Sequence, residues 1–436
     1  MRFPSIARAL RRWVALGTLV AGTASAAGAT ESVVMSSPDH IFRDGFEPGN
    51  ATDNDGDGWT ESNGDCCDLA SAGCDEPGLV NPGAFEVPGN LVDDDCDGGV
   101  DAPRAVCDSG LASNTSDAFH HARAIDLCQT TTETAPIAQR RWGVIDAQLL
   151  LPSGSGSPEA NARAIRSSFA SGNFPRFGDS LLVLSTGRAA ATGQTSPAHL
   201  PFQPGEDLAP QSAFPADWLL ANGNVLPTAP GCPDPNGSLA QDPIMLKLRI
   251  RVPTNAQSFS VSTRFFSAEY PEWVCSPYND FYVVLLDSTY SGAPANPGDK
   301  NIARYTSDSG VYPIGVNLAY GNTGLFTACE NGPTGCTSSS VAGSTSTCSS
   351  SADLTGTGFD VANPLGIGGE AGYCGDNNLT GGGTAWLTTR GNVVPGETIE
   401  LRFALWDTSD GWNDSVALLD DFQWSVDPTT PGAFIN

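Results

Sequence analysis

From Asp39 to Asp108 the chain carries 18 Asp or Glu residues against two basic ones, Arg43 and Arg104. No other stretch constrains folding more, because two carboxylates about 4 Å apart repel by about 1 kcal/mol even in the dielectric of water. Residues 50–103 are also rich in Gly, Pro and Cys and poor in apolar side chains. A hydrophobic core cannot hold such a segment, so ions and disulfides must. It is read as a small acidic, Cys-rich metal-binding module.

Within the module, "DNDGDGWTESNGDCCD" at 53–68 follows a calcium loop over its first half. Asp53, Asp55 and Asp57 take positions 1, 3 and 5, Gly58 supplies the turn at 6, Trp59 offers its carbonyl at 7 and Glu61 stands at 9. The pattern then departs from an EF-hand: position 12 is Gly64, further acids follow at Asp65 and Asp68, and no amphipathic helices flank the loop. A second triplet, Asp93, Asp95 and Asp97 before Gly98, with Asp101 after it, repeats the spacing. Two triplets in one module favour metal binding over a chance solvated acid run. Hard carboxylate oxygens, with no Met or His in the module, select Ca²⁺; copper, the alternative, prefers thiolate, thioether or imidazole.

Arg2, Arg8, Arg11 and Arg12 precede an apolar run from Trp13 to Val20 that ends in Ala24-Ser25-Ala26. This is the layout of a secretory signal peptide, residues 1–26, followed by a linker at 27–50. Cleavage would remove four arginines and take the formal charge from −28 to −32. A secreted or cell-surface chain so acidic attracts cations and repels nucleic acid and anionic membranes. No segment offers the roughly 20 consecutive apolar residues of a membrane span. Twelve cysteines in an oxidising compartment are read as disulfides. The expected bridges are Cys66 with Cys96, Cys67 with Cys74, Cys107 with Cys128, and two among Cys329, Cys336, Cys348 and Cys374.

Beyond the module one helix is expected over residues 116–127, capped by Ser116 and Asp117, with Ala118, Ala122 and Ile125 at helical spacing. Its adjacent His120 and His121 point about 100° apart and are read as solvent-facing. The rest reads as strands. Ile244, Leu246, Leu248, Ile250 and Val252 alternate with Met245, Lys247, Arg249 and Arg251, a period of two with one face buried and one wet. Phe259, Val261 and Phe265 continue the alternation after Pro253-Thr254-Asn255, as a hairpin would. Ile399, Leu401, Phe403 and Leu405 repeat it, and residues 180–185, 281–286, 313–319 and 416–426 are further candidates. The fold class is therefore all-β: an antiparallel, jelly-roll-like β-sandwich over residues 107–427, preceded by the disulfide- and ion-stabilised module. Residues 428–436 are read as a tail.

The ordered blocks "DNDGDGW", "GDCCD", "NPGAFEVPGN" and "DDDCDGGVD" resemble the metal-binding repeat of bacterial surface proteins named after a copper-associated outer-surface protein of a methanotroph. One copy covers residues 53–101, with Cys67 where that repeat has an acid. Residues 107–427 resemble the choice-of-anchor L domain, through "LLVLSTGRA" at 181–189, "SAEYPE" at 267–272 followed by Asn279-Asp280, "GTGFD" at 356–360 and "GGTAWLTTRGNVVPGETIELRFALWD" at 382–407. That resemblance implies a β-rich secreted or surface protein, with no particular activity.

Two connections in this part gather acids between apolar strands: Glu269, Glu272, Asn279 and Asp280 in one, Asp407, Asp410, Asn413 and Asp414 in the other. Either a bound cation partners them, or they make turns through their own backbone. Glu269, Asn279, Asp280, Asp407, Asp410 and Asp414 are thus candidates for a second metal site. Gly178-Asp179-Ser180-Leu181 echoes a serine-hydrolase motif, but the one later histidine, His199, follows Ser196-Pro197-Ala198 rather than an acid three residues before it. Ser180 is read as opening a strand, and no catalytic residue is assigned. The expected function is non-catalytic binding or adhesion, with metal ions and an extracellular polysaccharide or surface protein as partners. Carbohydrate binding is the alternative if Trp273, Trp406, Trp412 and Trp424 stack on sugars, which an exposed coplanar pair would favour.

Overall fold

The alternation at 244–252 does become a strand, and its apolar side chains define the middle of the molecule. In the computed structural model, which describes residues 50–71, 73–170, 172–189, 210–321, 323–336, 344–360, 374 and 381–435, Ile244, Leu246, Leu248 and Ile250 are fully buried. The signal peptide, nearly all of the linker and His199 lie outside the described residues, which belong to one unit spanning Pro48–Asn436.

In chain order the strands are β1 (Gly143–Leu150), β2 (Arg163–Arg166), β3 (Leu181–Ser185), β4 (Gln211–Ser212), β5 (Ala240–Arg251), β6 (Ser258–Ser267), β7 (Phe281–Asp287), β8 (Arg304–Ser307), β9 (Gly310–Pro313), β10 (Phe326–Ala328), β11 (Pro333–Thr334), β12 (Ser344–Thr345), β13 (Gly382–Thr384), β14 (Leu387–Asn392), β15 (Thr398–Thr408), β16 (Ser415–Ser425) and β17 (Gly432–Ile435). One large sheet runs β1-β5-β15-β7, with β4 added to β5; a second runs β10-β13-β6-β16-β3-β2, with β14 on β6 and β17 on β14; β8 with β9 and β11 with β12 form separate two-stranded sheets. Every pairing within them is antiparallel. Leu246, Leu248 and Ile250 of β5 stand opposite Phe403, Leu401 and Ile399 of β15, and one apolar cluster joins these to Phe259, Val261 and Phe265 of β6 and Leu419 of β16. The two large sheets therefore close face to face, as expected of a sandwich.

Several expectations fail for identifiable reasons. Strands β5 and β6 are not a hairpin; they lie in different sheets. The chain between them is held across the gap by the module: Thr254 N donates to Gly83 O at 3.0 Å, Thr254 Oγ1 to Asn81 Oδ1 at 2.6 Å, and the Asn255 amide exchanges hydrogen bonds with the backbone of Phe85. The outer face of the first sheet is only partly wet. Lys247 there pairs with Glu400 at 2.6 Å, but Met245, Phe281, Val283, Leu285 and Trp406 are covered by a second helix, α2 (Ala216–Ala221), through the fully buried Trp218. The outer face of the second sheet is partly covered too, by Phe169, Leu354 and Phe359.

The expected helix α1 (Ala118–Arg123) forms with Asp117 as its cap but stops early, before Asp126, which has φ +69°. His121 on it is fully buried rather than solvent-facing, its Nε2 3.1 Å from Thr115 O, and burial pushes its pKa down to about 4. Residues 313–319 are not a strand: β9 ends at Pro313 and a 3-10 turn, Val316–Ala319, follows. Residues read as a tail supply β17, with Ala433 buried beside β14.

Candidate metal centre

Among its described residues the module contains no sandwich strand. Its apolar cluster is limited to Cys67, Cys74 and Val80, with Val92 and Cys96 packed against them, and Cys66–Cys96 and Cys67–Cys74 bridges tie it together. Geometry is therefore set by turns. Asp53 accepts Gly56 N through Oδ1 at 2.7 Å and Gly58 N through Oδ2 at 3.1 Å. Asp57 N donates to Asp55 Oδ1 at 3.1 Å, and Trp59 N to Asp57 Oδ1 at 2.7 Å. Gly56 and Gly58, with φ of +84° and +94°, supply the left-handed backbone that wraps the chain around its own acids.

Asp55 and Asp57 thus each spend one oxygen on the turn. The other oxygen of each is buried, with Asp53 against the Asp55 carboxylate and the Asn81 side chain against that of Asp57. Asp65 enters from beyond the loop: its Oδ1 accepts Cys67 N at 2.9 Å, while its Oδ2 is buried and unpartnered in a side chain of a residue only 5% exposed. Asp68, also buried, is held by the backbone and amide of Asn54. Oxygens of Asp53, Asp55 and Asp57 lie within 4.8 Å of one another, as do those of Asp55, Asp65 and Asp68, so Asp55 belongs to both groups. Burial pushes Asp57 up to about 6, with the charges of Asp55 and Asp53 adding to it. Burial likewise pushes Asp65 up to about 7, with help from Asp57, Asp55 and Asp68. Crowding that favours a proton on these oxygens favours a cation among them for the same reason.

The second triplet repeats the fold of the first. Asp93 accepts Asp97 N at 3.1 Å and Gly98 N at 3.0 Å, Asp97 N also donates to Asp95 Oδ1 at 3.2 Å, and Gly99 N to Asp97 Oδ1 at 2.8 Å. Gly98 has φ +95°, matching Gly58; Cys96, with φ +56°, stands where the first loop has Gly56. Its third convergent acid is Glu86, within 4.8 Å of Asp93 and Asp95. Glu86 also accepts the backbone N of Asp94, Asp95 and Ala102. Sequence reasoning did not assign Glu86 as a ligand, although it stands in the "PGAFE" block. Burial, then the charge of Asp97, pushes Asp95 up to about 6.

Three expected carboxylate ligands, Glu61, Asp97 and Asp101, are not among the convergent oxygens, although the charge of Asp97 acts on Asp95. Glu61 accepts Asn50 N at 3.1 Å, Asp97 is committed to its own turn, and Asp101 accepts Gly89 N at 2.6 Å. Trp59 is buried, with the Arg141 guanidinium 5.5 Å from its ring centroid.

In the sandwich, Asp280, Asp407 and Asp414 are each 1% exposed and interact at one end of the strands, joined by Asp242, which the sequence had not marked. Asp410 acts on Asp280 through its charge while its Oδ1 accepts Trp412 N at 3.1 Å, Asn279 Oδ1 accepts Asn317 N at 3.1 Å, and the backbone N of Glu269 donates to Ser267 Oγ at 3.1 Å. Ser180 is buried at the start of β3, its Oγ donating to Asp108 Oδ2 at 3.0 Å. Cys107–Cys128, Cys329–Cys348 and Cys336–Cys374 complete the expected disulfides, and Cys232–Cys275 adds a pair to which no partners had been assigned.

Trp406 is fully buried, Trp412 is 49% exposed, and Trp424 meets Trp142 edge-on at 80°. The last two line a cavity of about 320 Å³ with Phe85, Glu86 and Asp95. Among the described residues no helix is long and apolar enough to cross a membrane. Compared with protein-family models, curated proteins and solved structures, the chain matches none.

Proposed function

We propose that this is an extracellular calcium-binding protein whose acidic module is an ion clamp and whose sandwich serves a non-catalytic binding or adhesion role. One observation carries the calcium reading: Asp65 Oδ2 is buried without a hydrogen-bond partner, in a side chain whose oxygens converge with those of Asp55 and Asp68. Buried carboxylate oxygens normally have partners, and a hard cation would be a shared one. The resemblance of residues 53–101 to a metal-binding surface repeat supports the same reading, while the oxygen-only donor set, with every module cysteine in a disulfide, favours calcium over copper. Six disulfides support export.

Limited proteolysis tests the clamp. With millimolar Ca²⁺, residues 50–103 should resist cleavage that chelator permits; equal cleavage in both would refute it. Sugar binding is the second reading, favoured by the cavity at Trp142 and Trp424, whose volume is within the range of small-ligand sites. Loss of retention on a polysaccharide column in Trp424→Ala would support it, and unchanged retention would remove it.

A further inference from the structure

Trp142 lines two cavities. The one not yet described, of about 340 Å³, opens where the module meets the sandwich, with Asp57 and Trp59 of the first acidic loop on one side and Arg140, Trp142 and Arg251 on the other. Arg251, the last residue of β5, is only 8% exposed. Its Nη2 donates to Glu133 O at 2.9 Å, whereas its Nη1 is buried and makes no hydrogen bond. Burial holds this guanidinium below its ordinary pKa, the charge of Arg140 adds to that, and Glu133 opposes both. The Glu133 carboxylate, however, is engaged by Arg249 at 2.7 Å. Arg140 is exposed and forms no ion pair among the described residues. The acid in the wall, Asp57, is turned to its own loop, where it accepts Trp59 N at 2.7 Å and meets the Asn81 side chain.

A chain with 49 Asp and Glu against 21 Lys and Arg has carboxylates to spare, yet neither Arg140 nor Arg251 is given one. A buried guanidinium without a compensating charge is costly, and its planar fork of donors matches a carboxylate. We propose that this cavity binds an acidic sugar, with the carboxylate of a uronate on Arg140 and Arg251 and its ring against Trp142. The volume is at the lower end of small-ligand sites, enough for a sugar ring, and the indole supplies an apolar wall that a bare anion would not use. Repulsion from the net charge of −28 opposes any anion, but at physiological salt it is screened beyond about 8 Å. The inference deepens the sugar-binding reading by naming a class of sugar, at a cavity that excludes Trp424, and it does not depend on the module binding an ion.

The test is a ligand-observed NMR titration of the full chain, in millimolar Ca²⁺, with glucuronate, glucose and acetate as separate probes. Glucuronate should bind saturably, and glucose and acetate at least about tenfold more weakly. Arg140→Gln and Arg251→Gln should each weaken glucuronate by about tenfold or more, because each removes one charge-assisted partner of the carboxylate. Should Arg251→Gln not fold, Arg140→Gln, at an exposed position, carries the test. Arg140 does not line the Trp424 cavity, so a loss in Arg140→Gln cannot come from there and the two readings fail separately. Absence of saturable glucuronate binding, or an affinity unchanged in Arg140→Gln, would overturn the inference. Equal binding of glucose would overturn it too, as would equal binding of acetate, which would make this a site for any carboxylate, a peptide terminus included.

Discussion

Asp65→Asn should stabilise the ion-free chain and reduce the further stabilisation that calcium gives. Asn keeps an oxygen for the Cys67 N–H, which Asp65 Oδ1 accepts at 2.9 Å, so the local turn survives. What it removes is one negative charge from a group in which Asp55, Asp65 and Asp68 approach within 4.8 Å. Each pair at that distance costs about 1 kcal/mol in the dielectric of water and about 3–4 kcal/mol at an effective dielectric of 20. Two of the three pairs involve Asp65, so the ion-free module should gain about 2–7 kcal/mol. With calcium bound the lost ligand should weaken binding about 10- to 100-fold, or about 1.4–2.7 kcal/mol. The assay is urea unfolding of both proteins at pH 8.5, with chelator and with Ca²⁺. The gain with chelator should fade as pH falls. Asp65 titrates at about 7 in the folded chain, above its unfolded value, so its penalty is fully present above that pH and gone below about 4. An Asp65→Asn chain that is less stable than wild type in chelator, with unchanged calcium affinity, would refute the reasoning.

Calcium binding should release protons when measured between pH 6 and 7, because Asp57 and Asp65 hold protons there in the ion-free chain; calorimetry in buffers of different ionisation enthalpy reads the number, and no release would contradict it. Gly58→Ala, with nothing within 4 Å of the new Cβ but φ at +94°, should cost about 1–2 kcal/mol by backbone strain alone, and also weaken calcium binding because Gly58 N holds Asp53. Replacing both Cys66 and Cys96 by Ala, across a separation of 30 residues, should destabilise the module by about 3–4 kcal/mol, seen as a lower denaturation midpoint that calcium only partly restores.

The sandwich strands were legible because period-two alternation names the residues that face a core: Ile244 to Ile250 and Ile399 to Leu405 lie where it puts them. Alternation does not say which strand is the neighbour, so the β5–β6 hairpin was inferred where the chain crosses between sheets, held by Asn81, Gly83 and Phe85 from a distant segment. Helix α2 was hidden by its length, since six residues carry too little periodicity to stand out. Trp218 then buries half of a face that charge at Lys247 and Arg249 marked as wet. Asp53, Asp55, Asp57 and the second triplet were visible as local spacing, whereas Glu86 and Asp242 join their groups only through tertiary folding. His121 and Ser180 reached the interior by the same route, through partners in other elements.

Titration calorimetry of the chelator-treated full chain with Ca²⁺, and separately with Cu²⁺, at pH 7.5 and with thermal melts alongside, tests the central claim most directly. The account expects saturable calcium binding and a raised melting temperature, with copper weaker than calcium. Absence of calcium binding, or tight binding of copper alone, would contradict it.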